Sequence, residues 1–138
     1  GFPACHGADI ADPEFGSTEA CRRSTPPQVE IAAHSSPLGM IFYRGGMFPP
    51  EYDGAIFVAE HGSWNRSKKV GYRVGVAFLK NGRVDRYEPF ITGWLDEEKD
   101  DFWGRPVDLL ELPDGSMLLS DDWANLIYRI SYDERAAR

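Results

Sequence analysis

Gly54-Ala55-Ile56-Phe57-Val58-Ala59-Glu60 returns later in the chain as Gly115-Ser116-Met117-Leu118-Leu119-Ser120-Asp121. Each copy is a glycine, a short apolar run and a terminal carboxylate, the pattern of a buried strand leaving a turn. The match extends outward. Pro37-Leu38-Gly39-Met40-Ile41 precedes the first copy as Pro106-Val107-Asp108-Leu109-Leu110 precedes the second, and Tyr72-Arg73-Val74 is answered by Tyr128-Arg129-Ile130. Strands are predicted over 38–43, 55–59, 72–79 and 84–90, then over 106–112, 116–120 and 125–132. Lys80-Asn81-Gly82-Arg83 joins two of them, and Asn-Gly supplies the positive φ angles of a type I′ hairpin. Pro113-Asp114-Gly115 marks a second hairpin turn. Each repeat is then an antiparallel meander that cannot bury both faces alone, and radial stacking of such sheets is the β-propeller solution. An all-β propeller is the expectation. A small β-sandwich is the rival, and it would have to tolerate a long strandless beginning.

Residues 1–28 carry no period of 2 or 3.6, and Pro3, Gly7, Pro13, Gly16, Pro26 and Pro27 punctuate them as loop. The expected division is a loop-rich inter-blade segment over 1–28, a four-stranded blade over 29–93, and a last, three-stranded partial blade over 94–138. Two blades cannot close a ring. The chain is therefore expected to be the C-terminal part of a larger propeller, or a piece of a cleaved or split one. Its upstream blades are then its first partners, and its exposed faces and unpaired edge invite self-association.

The chain has 138 residues and a formal net charge of -7. That balance argues against general nucleic-acid binding, which needs clustered Lys and Arg; the local cluster Arg66, Lys68, Lys69 and Arg73 reads as a solvated face. No apolar run approaches the roughly 20 residues of a membrane span, and the opening Gly1-Phe2-Pro3 does not resemble a signal peptide. Cys5 and Cys21 are the only cysteines. Their separation permits one loop-closing disulfide, which would imply a periplasmic or extracellular location. Two buried free thiols are the alternative.

Several motifs occur together and in order. They are Phe2-Pro3-Ala4-Cys5-His6-Gly7, Asp12-Pro13-Glu14-Phe15-Gly16, Thr25-Pro26-Pro27 and Ala33-His34-Ser35-Ser36-Pro37-Leu38-Gly39. His61-Gly62-Ser63-Trp64-Asn65-Arg66, Gly104-Arg105-Pro106-Val107-Asp108, Pro113-Asp114-Gly115 and Ser120-Asp121-Asp122 follow. Taken together, the chain resembles the C-terminal part of the glucose/sorbosone dehydrogenase family, in its L-sorbosone dehydrogenase-like branch. The resemblance implies a six-bladed, usually exported propeller with pyrroloquinoline quinone (PQQ) near its axis and Ca²⁺ bound to it. It implies oxidation of a sugar or sugar aldehyde by hydride transfer to the quinone, with an external electron acceptor. The general-base histidine and most of the calcium site belong to upstream blades in that family. No catalytic residue and no metal ligand is therefore expected here, and the isolated chain is expected to be inactive. A non-catalytic carbohydrate-binding or interaction propeller module is the alternative.

PQQ is a planar ortho-quinone with three carboxylates, so its site needs cations, hydrogen-bond donors and flat side chains. Arg105 is the first candidate, at the start of an inner strand, with Asp108 able to orient it or a neighbour. His61 and Arg66 leave the end of the matching strand and are expected to face the same region. Trp64 either stacks on the cofactor or plugs the space between blades. His34 is a candidate for the substrate cavity, or a histidine satisfied by turn amides. The acidic run Asp96-Glu97-Glu98-Lys99-Asp100-Asp101 lacks EF-hand spacing and reads as solvated loop. Cys5-His6 lacks the first cysteine of a c-type haem motif, and His61-Gly62-Ser63-Trp64-Asn65 is not a nucleophile elbow.

Overall fold

The computed structural model describes residues 1–134, so residues 135–138 of the expected last blade lie outside the described residues. The chain forms two compact units, Gly1–Ile31 and a second from Ala32 onward.

The first unit was expected to be loop, and it does contain a little regular structure. Strands β1 (Cys5–His6) and β2 (Ile10–Ala11) pair antiparallel, and the short helix α1 spans Thr18–Arg22. Ser17 caps that helix through its side-chain oxygen, which accepts from the Ala20 amide. Cys5 and Cys21 are disulfide-bonded, and they are the buried apolar residues of this unit. Asp12 accepts from the amides of Glu14 and Phe15 and pairs with His6 Nε2 at 2.9 Å. The His6 bond and the two amides lower the Asp12 carboxyl to about 2.

The second unit is built from two meanders. Strands β3 (Pro37–Phe42), β4 (Ile56–Glu60), β5 (Arg73–Lys80) and β6 (Arg83–Ile91) form a four-stranded antiparallel sheet in chain order. Asn81 and Gly82 have φ of 54° and 75°, the positive pair that a type I′ hairpin demands. A small hairpin, β7 (Leu95–Asp96) and β8 (Asp101–Phe102), occupies the acidic run. Strands β9 (Pro106–Glu111), β10 (Met117–Asp121) and β11 (Leu126–Ile130) then form a three-stranded antiparallel sheet. The sequence repeat holds through its first two strands. Its third-strand match is out of register: Glu60 pairs with Arg73, whereas Asp121 pairs with Leu126 and Arg129 lies opposite Leu118. The first copy reaches its third strand through residues 61–72, the second through 122–125, and the shorter turn moves the partner residue.

Period-2 alternation decides which faces meet. Phe57, Ala59, Val74, Val76 and Phe78 share a core with Leu109, Met117 and Leu119 of the second sheet. Tyr43, directly after β3, ties the sheets together by donating from its hydroxyl to the Gly115 carbonyl at 2.7 Å, and the same oxygen accepts from the Met47 and Phe48 amides. The outward faces are left open: Leu38, Met40 and Phe42 on β3 and Leu110 and Ile127 on the second sheet are exposed. Two stacked meanders with uncovered outer faces are neighbouring blades of a β-propeller, the all-β architecture expected from the repeat.

On the first sheet, Glu60 is fully buried. Its Oε1 accepts from Arg73 Nε at 2.9 Å and from the Tyr87 hydroxyl at 2.8 Å. Burial, and then the bond to Glu60, raise the Tyr87 hydroxyl pKa above its ordinary value near 10. Because the folded state holds the proton more tightly, this contribution is complete below pH 10 and is lost as pH rises above it. Tyr87→Phe should therefore destabilise the protein by about 1–3 kcal/mol at neutral pH. In urea unfolding at a series of pH values, the difference from wild type should shrink above pH 10.

Candidate functional site

Both sheets place chemistry at the same end. The starts of β3 and β9 and the ends of β4 and β10 adjoin there, so His34–Ser36, the turn after Glu60, Arg105 and the Asp121–Asp122 pair share one rim.

The turn after β4 is held tightly. His61 N donates to Ser36 O at 3.0 Å and Gly62 N donates to Ser35 O at 2.9 Å. Ser63 N donates to Val70 O, Val70 N returns a bond to Ser63 Oγ at 3.1 Å, and the Tyr72 hydroxyl donates to Ser63 O. Gly62 has φ +103°, and a Cβ there would lie 2.5 Å from the Tyr72 ring, so only glycine fits. Beyond this pinned base, Trp64 and Arg66 stand exposed.

Arg105 crosses to that turn. Its Nε donates to His61 O at 3.1 Å and its Nη2 to Gly62 O at 2.7 Å. The guanidinium carbon lies 5.5 Å and 5.6 Å from the ring centres of Tyr72 and Phe102. Phe102 in turn packs on Tyr72 at 4.5 Å and on Trp123 at 5.0 Å. One edge of the arginine fork is therefore turned inward onto backbone, while Nη1 makes no hydrogen bond among the described residues.

The carboxylate that positions Arg105 is Asp121, not Asp108. Asp121 is buried; its Oδ1 accepts from the amides of Arg105 (2.9 Å), Trp123 (3.1 Å) and Ala124 (2.8 Å), and its Oδ2 from the Tyr128 hydroxyl (3.2 Å). Asp108 lies further along β9, where its Oδ1 accepts from the Leu109 amide and its amide donates to Ser120 Oγ. Asp122 joins the two sheets: its Oδ1 is 2.9 Å from His61 Nε2, with His61 mostly shielded and Asp122 exposed. Arg66 Nη1 donates to Ala33 O at 3.0 Å. His34 is exposed, with φ +68° and its carbonyl near Ser36 Oγ at 3.4 Å.

The structure thus brings His61 and Arg105 into one hydrogen-bonded cluster and leaves Arg66, Trp64 and His34 on the same rim outside it. Sequence reasoning assigned no role to Asp121 or Asp122, although Ser120-Asp121-Asp122 had stood out as a motif. Two adjacent carboxylates ending a buried strand were the available signal. No group of three or more His, Cys, Asp or Glu residues among the described residues could hold a metal ion. The acidic run is otherwise engaged, Asp96 capping the Glu98 and Lys99 amides and Asp100 pairing with Lys69 at 3.3 Å.

A pair of stacked antiparallel blades with a charged rim at one end defines part of a β-propeller protein. The AA12 carbohydrate-active enzyme of Trichoderma reesei, in its iodide structure, superposes with a TM-score of 0.74 at 22% identity, over 91% of this chain and 33% of that one. The holo PQQ domain of pyranose dehydrogenase from Coprinopsis cinerea superposes at 0.64 with 23% identity, over 88% and 32% respectively. Residues 9–131 match the TrAA12-like family. The chain belongs to that family. An uncharacterized protein of Borreliella burgdorferi is 41% identical over 139 residues, covering 97% of this chain and 36% of the relative. The chain therefore spans about a third of the length of the relatives it matches.

The Arg105 bridge should matter to the fold as well as to the rim. Arg105→Ala removes both charged hydrogen bonds to the turn and is expected to cost about 1–3 kcal/mol in urea unfolding. Faster hydrogen exchange should follow at the His61 and Gly62 amides, with Arg105→Lys intermediate.

Proposed function

We propose that this chain is part of a PQQ-dependent sugar dehydrogenase, which oxidises a sugar or sugar aldehyde and passes the electrons to an external acceptor. The observation that carries the reading is the convergence of His61, Arg105 and Asp122 from two blades at one rim, in a chain of the TrAA12-like family. The L-sorbosone dehydrogenase-like branch is the form of the activity that the motifs favour.

The donor set fits a tricarboxylate quinone in kind. Arg105 Nη1 and the remaining donors of Arg66 would hold carboxylates, and the exposed Trp64 ring would lie against a cofactor face. With Nε and one N–H of Nη2 serving the His61 and Gly62 carbonyls, this arginine keeps its Nη1/Nη2 edge for a carboxylate. When bound, PQQ supplies the two-electron acceptor chemistry. These residues bind and orient it, and the pinned 61–63 turn keeps their spacing fixed before any ligand arrives. His34 would border the substrate cavity. Ca²⁺ and the general base are assigned to the other blades, which complete the propeller. The Cys5–Cys21 disulfide supports an oxidising compartment, periplasmic or extracellular.

A carbohydrate-binding module without redox chemistry is the second reading. It is favoured by the exposure of Trp64, Trp103 and Trp123 at the rim end, since indole faces stack on sugar rings.

Absorbance titration with PQQ, on the protein at the full length of its relatives, separates the two readings. A saturable spectral shift is expected, weakened roughly 10–100-fold by Arg66→Ala or Arg105→Ala. Sugar-dependent dye reduction with PQQ and Ca²⁺ is expected from that protein and not from these 138 residues alone. Sugar binding without a spectral shift would establish the module instead.

A further inference from the structure

We propose that Asp122 fixes His61 as a hydrogen-bond acceptor toward a hydroxyl of the sugar, making His61 a substrate-facing residue and not a ligand of the cofactor's carboxylates. The inference rests on the sugar-oxidising reading above and concerns which partner His61 meets.

The Asp122 Oδ1–His61 Nε2 separation of 2.9 Å is a hydrogen bond. An ionised carboxylate only accepts, so the proton lies on Nε2, and in the neutral ring Nδ1 is then a lone pair. Nδ1 makes no hydrogen bond among the described residues. It is also not completely buried, since among the described residues the fully buried side-chain polar atoms lacking a partner are Ser35 Oγ and Glu60 Oε2. Quinone oxygens and carboxylates carry lone pairs of their own and would be repelled by it. A hydroxyl presents a proton. The tautomer thus selects a polyhydroxylated ligand over the anionic cofactor whose region His61 was expected to face.

The ring is also held in place. The His61 amide is tied to Ser36 O at 3.0 Å, its carbonyl to Arg105 Nε at 3.1 Å, and its Nε2 to Asp122. These ties come from both blades, so Nδ1 is aimed by the stacking of the sheets. Asp122 keeps its negative charge, accepts from Nε2 and so holds Nδ1 bare toward the substrate. His61 would accept a hydrogen bond from a sugar hydroxyl, the proton of the reacting hydroxyl going to the base expected on another blade, and Asp122 acts through His61 as a positioning residue.

The test uses the protein at full length, with two independent readouts. Imidazole ¹⁵N shifts of His61 should report a protonated Nε2 and a bare Nδ1. Adding the sugar should move the Nδ1 resonance, whereas adding PQQ alone should not. Asp122→Asn should lower kcat/KM for the sugar roughly tenfold, with the PQQ dissociation constant unchanged within about twofold; Asp122→Glu should recover part of the loss. Asp122 is exposed, so Tm should report an intact fold in both variants. A protonated Nδ1, or a PQQ affinity that falls as far as kcat/KM, would overturn the proposal. If wild-type protein takes up no PQQ, the sugar-oxidising reading fails by itself. The ¹⁵N response to sugar then still decides the role of His61: a shift at Nδ1 upholds it and silence overturns it.

Discussion

One guanidinium joins the two halves of the second unit at its charged end. Arg105 sits immediately before β9, yet its hydrogen bonds go to carbonyls that follow β4 on the other sheet. Its own amide is held by the buried Asp121 carboxylate at the end of β10. The cation therefore connects three strand termini, and the positions of His61, Gly62 and the rings of Tyr72 and Phe102 depend on it. A charge so placed is costly to bury unless its donors are satisfied, and backbone carbonyls satisfy two of them without placing a counter-charge beside a prospective anionic ligand.

The opposite end of the stacked blades is joined differently. There the Tyr43 hydroxyl donates once and accepts twice, saturating a buried neutral group. Nothing is left over for a ligand. At the Arg105 end, by contrast, Nη1 of the arginine and Nδ1 of His61 keep unused valence, and Trp64 and Arg66 stay exposed above a rigid turn. The two ends differ less in how firmly they hold the sheets than in what they leave unsatisfied.

The strands were legible because alternation and turn residues are local. Asn81-Gly82 sets positive φ angles whatever surrounds it, and the apolar runs of β4, β5, β9 and β10 announce burial. The third strands were placed correctly but matched to each other out of register, because register depends on the length of the preceding connection and not on the strand's own residues. The site was legible by residue type and not by partner. His61, Arg66 and Arg105 do share a rim, but nothing local says that Arg105 turns its fork onto backbone, or that Asp121 rather than Asp108 positions it. Likewise, Asp122 meets His61 across 61 positions of sequence, a relation fixed only when the blades stack. Glu60 looked like the polar end of a strand. Its carboxylate meets Arg73 on the adjacent strand and Tyr87 on the strand beyond, which the sequence alone does not pair with it.

The disulfide has a practical corollary for anyone producing the protein. Residues 1–31 have a five-residue helix, two-residue strands and no buried apolar side chains beyond the two half-cystines. Covalent closure over a separation of 16 residues, worth about 3 kcal/mol to a loop of that size, is thus the interior of that unit. The blades owe nothing to sulfur chemistry. In a reducing host the same polypeptide would emerge with sound blades and an unravelled leading segment, and mild oxidation after purification would be the step that completes it.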